Sequence, residues 1–166
     1  MSEASEQRID PRVDIGHVHL KVADLDRALG FWVGVLGFEL QARYGSQAAF
    51  VSAGGYHHHI GLNTWESAAG SPPPRGSTGL YHVALRYPDR ATLADALRRV
   101  LAAGVPLEGA SDHGVSEAIY LRDPDGNGVE LYRDRPLEEW PRRPDGELAM
   151  VNAAFDLQEL LDENPA

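Results

Sequence analysis

No cysteine occurs among the 166 residues, so the chain has no disulfide framework, no thiolate metal site and no cysteine nucleophile. Basic residues are also scarce. Fifteen Lys and Arg face 25 Asp and Glu, a formal charge of −10 that opposes contact with nucleic acid or anionic lipid and favours a small-molecule partner. No apolar run approaches the ~18 residues of a membrane span. Residues 1–10 are polar and acidic rather than basic then apolar, which does not suggest a signal peptide and leads us to expect a cytoplasmic protein. What remains is a composition of 43% hydrophobic and 24% charged residues, that of one globular domain with a core of its own. Histidine and carboxylate chemistry stay open to it.

The most informative stretch is DHGVSEAIYLRDPDGNGVELYRDR, residues 112–135. It reads as two strands joined by a tight turn, with Pro124 at the entrance and Asp125-Gly126 and Asn127-Gly128 expected to supply positive φ. Glu130 lies mid-strand between Val129 and Leu131, where a carboxylate needs a partner. Earlier in the chain, residues 1–13 read as a leader. The run 15–22 reads as a strand, Asp24 caps a helix carrying Leu25, Leu29, Trp32 and Leu36, and strands are expected at 38–43, 48–52 and 57–65. Residues 66–77, rich in Pro, Gly, Ser and Ala, form a linker. The pattern then repeats: a strand at 80–87, a helix capped by Asp89, and strands at 105–108, 115–121 and 128–133. The expected fold is α+β, two tandem βαβββ modules (14–65 and 78–134) forming one curved mixed sheet around a metal site. A tail, 135–166, ends in a short helix.

His17-Val18-His19-Leu20 and His82-Val83-Ala84-Leu85 share H-V-x-L and open the two modules, so His17 and His82 hold matching positions. Either one alone is more simply read as a hydrogen-bonded core or surface histidine. Matched placement, with Glu130 arriving from the last strand, favours two imidazoles and one carboxylate on one cation, a set suited to Fe(II) or Mn(II) with coordination positions open. In the first module the counterpart of Glu130 falls at or near Gly61, so no fourth ligand is expected there. Arg122, Arg133 and Arg135 flank the site strand and are candidates for a substrate carboxylate or for a solvated surface.

The stretches HVHLKVADLDRA, LYHVAL and HGVSEAIYLRDPDGNGVELY resemble the vicinal oxygen chelate superfamily, which includes glyoxalase I, bleomycin-resistance proteins and type I extradiol dioxygenases. Within it the chain looks most like the catechol 2,3-dioxygenase and homoprotocatechuate 2,3-dioxygenase branch. The resemblance implies metal ligation by His17, His82 and Glu130, an acid-base role for His58, and pocket roles for His113 and Tyr120. His57 and His59 adjoin His58, and the run alone does not choose among the three. Counting forward from His113 and back from DPDG disagree by two residues, a local deletion that bears on Tyr120. The family's extra metal-free pair of modules does not occur in these residues, so a homo-oligomer, dimer or higher, or the tail is expected to cover the pocket. The implied function is Fe(II)-dependent (or Mn(II)-dependent) ring cleavage of a catechol with O2. The alternatives are a glyoxalase-like isomerase or lyase and a metal-free, drug-sequestering binding protein.

Overall fold

The computed structural model describes residues 8–165, so most of the expected leader, 1–7, lies outside the described residues. Module one opens with β1, Val18–Lys21, whose alternation sends Leu20 and then Val22 into the core and leaves His19 and Lys21 on the open face. Asp24 accepts from Arg27 N and starts α1, Leu25–Leu29. Gly30 then begins a π-helical segment, Gly30–Val35, in place of the continuous α-helix expected through Leu36. The wider turn of the π segment lets Phe31 join Leu25, Leu29, Trp32 and Leu36 in the core. β2 (Glu39–Tyr44), β3 (Ala48–Ser52) and β4 (Ile60–Asn63) follow. The four strands order β1-β4-β3-β2, with β1 parallel to β4.

Module two repeats the plan. β5 is Val83–Arg86, and α2, Arg90–Ala102, begins in a reciprocal capping box between Asp89 and Thr92. β6 (Leu107–Asp112), β7 (Ser116–Arg122) and β8 (Gly128–Asp134) complete it, again with the first strand parallel to the last. The tail contributes β9, Ala153–Ala154, paired to the end of β6, and α3, Leu157–Glu163, which buries Leu160 against α2. The strands are hydrogen-bonded as a four-stranded and a five-stranded sheet, and one apolar core joins residues of both modules. No helix among the described residues is long and apolar enough to cross a membrane.

The turn between β7 and β8 departs from expectation in a useful way. Only Gly126 of its two glycines has positive φ, +81°. Gly128 is required for another reason: a Cβ there would collide with the carbonyl oxygen of Tyr81 on the chain leading into β5. Asp123 receives the backbone N–H groups of Asp125 and Asn127, which closes the turn. Asp125 reaches out of it to module one, accepting from Ala23 N at 2.8 Å and from Arg27 at 2.6 Å. The turn is therefore also a clasp between modules. Asp125→Asn should cost about 1–2 kcal/mol, since a charge-assisted bond weakens while half-exposed Arg27 regains water. Urea denaturation reads this as a lower midpoint at unchanged slope.

Candidate metal and acid-base site

Strand register brings the module-two residues together. Tyr120 on β7 stands directly opposite Glu130 on β8, and Ala84 on β5 stands on Glu130's other side. His82 lies two residues before Ala84 and so shares its face. The contacts form a chain: His82 Nε2 is 2.8 Å from Glu130 Oε2, the Tyr120 hydroxyl is 3.3 Å from Glu130 Oε1, and His113 Nε2 is 2.7 Å from the Tyr120 hydroxyl. His113, Tyr120, Glu130 and His82 are all partly buried. A cavity of about 370 Å³ opens beside them, lined in part by Tyr81, His82, Glu108, Tyr120 and Arg122. The two-residue discrepancy between HGVS and DPDG does not keep Tyr120 from His113.

Burial, and then the neighbouring Glu130 carboxylate, push the Tyr120 phenol from its ordinary value of 10.0 up to about 12. The neutral phenol is thus favoured by folding. Its contribution to stability is complete below the ordinary tyrosine value and is lost as pH rises through about 12. An ultraviolet titration should show a late-ionising tyrosine that is missing in Tyr120→Phe and that moves down in Glu130→Gln.

The other histidines gather on module one. His17 lies two residues before His19 on the extension of β1, and its ring centroid is 4.3 Å from that of His58. His58 also packs edge-on against Phe50, and its Nδ1 lies 2.7 Å from that of His57. His57, His58 and His59 precede β4 rather than lying within it, so strand pleat does not choose among them. Contacts do. His58 turns to His17 and Phe50, whereas His59 accepts from Ala53 N and stacks on Tyr56. The His58 pKa is lowered, by burial first and then by the neighbouring imidazoles of His17, His57, His19 and His59, which keeps the ring in its neutral, proton-accepting form near neutrality.

The parallel pairings make the module comparison exact in register. Ala84 pairs with Glu130 in module two, and His19 pairs with Gly61 in module one. Gly61 is thus the counterpart of Glu130, and the His19 ring fills its place, 2.9 Å from where a Cβ would sit. The first module supplies no carboxylate.

A divalent cation tests well against part of this set. Two adjacent donors on an octahedral ion with bonds of about 2.1 Å stand about 3.0 Å apart, close to the His82–Glu130 separation. His82 Nε2 and Glu130 Oε2 are already placed as such a pair. His17 is not with them: it borders a different cavity, of about 420 Å³, between β1 and β5. No group of three or more His, Cys, Asp or Glu among the described residues is closed enough to hold a metal.

The family model described as the Glyoxalase/Bleomycin resistance protein/Dioxygenase superfamily matches residues 14–131. The chain belongs to that superfamily. It is 42% identical over 149 residues to a catechol-2,3-dioxygenase of Bacillus subtilis, covering 90% of this chain and 51% of that protein. It is 30% identical over 129 residues to biphenyl-2,3-diol 1,2-dioxygenase 3 of Rhodococcus globerulus, covering 76% and 65%. The chain therefore spans about half to two thirds of the length of these relatives. A solved lactoylglutathione lyase of Agrobacterium tumefaciens superposes with a TM-score of 0.58 at 26% identity, covering 75% of this chain and 96% of that one. One fold thus accommodates an oxygenase and a lyase, and the site must discriminate between them.

Two expectations about polar residues change. Arg133 and Arg135 do not face a substrate: both bind Glu117, which is 2% exposed, together with Arg90. Arg122 is held by Glu108 at 2.7 Å and by the carbonyl of Gly126. Glu117 was overlooked because HGVSE reads as a polar entry to the strand. Its alternation with Ile119 and Leu121 marked it as inward-facing.

Proposed function

We propose that the protein is an extradiol dioxygenase that opens a catechol ring with O2, using Fe(II), or Mn(II), held by His17, His82 and Glu130. The observation that carries this reading is the continuous chain from His82 through Glu130 and Tyr120 to His113, which joins a pair of metal donors to a pair of proton-handling groups. The identity to a catechol-2,3-dioxygenase supports the same reaction. Gly61 favours it over the isomerase or lyase alternative, because no fourth protein donor crowds the ion and a bidentate diol keeps room beside O2. When bound, the divalent ion acidifies the diol and supplies the redox chemistry. The chain's own groups do the rest. His58, neutral beside His17, takes the second hydroxyl proton and later returns it. Tyr120, kept protonated, directs its proton to His113 Nε2, and its hydroxyl oxygen is left to accept a hydrogen bond from the substrate hydroxyl.

Since His17 sits apart from the His82–Glu130 pair, the third donor reaches the ion by apposition of module one from a second copy, in keeping with a homo-oligomer. Mixing His17→Ala with Glu130→Ala chains tests this. If sites are shared between copies of a two-fold dimer, about a quarter of the sites are restored on subunit exchange. If all three donors come from one chain, none is. His58→Phe should retain iron and lose about 10²–10⁴-fold in turnover. Equal turnover by His58→Phe would remove it from the mechanism.

A further inference from the structure

We infer that the C-terminal segment is part of the acid-base apparatus: the backbone carbonyl of Val151 fixes the tautomer of His113 and thereby directs the Tyr120 proton. The inference rests on the dioxygenase reading for its catalytic consequence but not for its geometry. His113 Nδ1 is 3.0 Å from Val151 O. A carbonyl only accepts, so Nδ1 must carry the proton. With the ring neutral, Nε2 is then an acceptor, and its partner at 2.7 Å is the Tyr120 hydroxyl. Tyr120 has one proton for two acceptors, His113 Nε2 and, at 3.3 Å, Glu130 Oε1. Holding Nδ1–H on Val151 commits that proton to His113 and leaves the Glu130 oxygens free of it, as a metal-binding carboxylate requires.

The clasp is built on both sides. Val151 N donates to His113 O at 3.0 Å, so one residue of the tail binds both the backbone and the ring of His113. Gly114, at φ +75°, has no room for a side chain, since a Cβ there would lie 2.9 Å from Pro141 and 3.3 Å from Val151. Pairing of Ala153 and Ala154 with Asp112 and Ser111 ties the segment to β6 just beyond the clasp, and buried Leu160 ties down α3. Val151 is thus a positioning residue that acts through His113.

The test is nitrogen-15 NMR of the histidine rings in the full-length, metal-free chain, which reads the tautomer without any turnover. His113 should appear as the Nδ1–H form with an unprotonated Nε2. Ala153→Pro removes the amide of the β9 residue paired with Asp112 and leaves every atom of His113 and Gly114 unchanged. It should release Val151, lose amide protection there, and move His113 toward the Nε2–H form that an imidazole prefers in water. His113→Asn should keep a donor for Val151 and the parent's melting temperature, yet lose the acceptor for Tyr120 and about 10²-fold or more in turnover at little-changed KM. An Nε2–H tautomer in the parent overturns the inference, and so does an unchanged tautomer in Ala153→Pro once Val151 has lost its protection. A chain with the expected tautomer and no activity on any catechol would leave the clasp standing and sink the dioxygenase reading instead.

Discussion

Glu117→Ala should lower the melting temperature by roughly 6–20 °C, the equivalent of about 3–5 kcal/mol for breaking a buried ion pair in a domain of this size. The reason lies in what the glutamate holds. Its Oε1 meets Arg90 at 2.8 Å and Arg135 at 3.1 Å, and its Oε2 meets Arg133 at 2.8 Å. Arg135 is further balanced by Asp112 and Arg90 by Glu163, so α2, β6, β7, β8 and α3 share one charge network. Removing the central carboxylate leaves Arg133, 13% exposed, with only the Asp134 carbonyl, and leaves Arg90 and Arg135, 27% and 24% exposed, with one carboxylate each. Thermal denaturation followed by circular dichroism measures the loss, and a change below about 2 °C would show that solvent already screens the network. Because Arg90 and Glu163 bridge to α3, the tail should loosen before the core does, which amide exchange would register first in residues 153–163.

Glu130→Ala should abolish retention of Fe(II) after gel filtration under anaerobic conditions, and His82→Ala should do the same. Each removes one of the two donors already 2.8 Å apart and leaves the other with only His17 of the second copy beside it. The loss should far exceed the 10- to 100-fold expected for a residue that only supports a ligand. Tyr120→Phe is the contrasting case. It leaves both Glu130 oxygens in place, so iron should be retained while turnover falls. If Glu130→Ala and the parent bind iron equally, the ion sits elsewhere and the His82–Glu130 contact is an ordinary hydrogen bond.

Much of this architecture could be read from residue order, because the signals were local. Residues 48–52 form β3 as expected, and Asp24 and Asp89 cap helices where capping chemistry put them. Of the two histidines matched by the H-V-x-L repeat, His82 lies 2.8 Å from Glu130 and His17 borders a different cavity. What was not legible depended on distant partners or on subtler backbone choices. The π turn at Gly30 is set by how much of Phe31 and Trp32 the core can take, not by helical spacing. The histidine run reads as strand by composition, yet β4 begins only at Ile60, since Gly54 and Gly55, at φ +66° and +74°, hold the preceding turn open. Arg133 and Arg135, open by residue order to a substrate carboxylate or to a solvated surface, instead bind the distant Glu117. The clasp of Val151 on His113 uses backbone atoms, which no side-chain pattern reveals.

Oxygen uptake is the most direct measurement of what the site does. The Fe(II)-loaded protein, given a catechol in air-saturated buffer, should consume one molecule of O2 for each diol lost and release a yellow ring-opened product. Conversion without oxygen consumption, or tight binding of the diol with no conversion at all, would contradict the account and point to a lyase or a binding protein on the same fold.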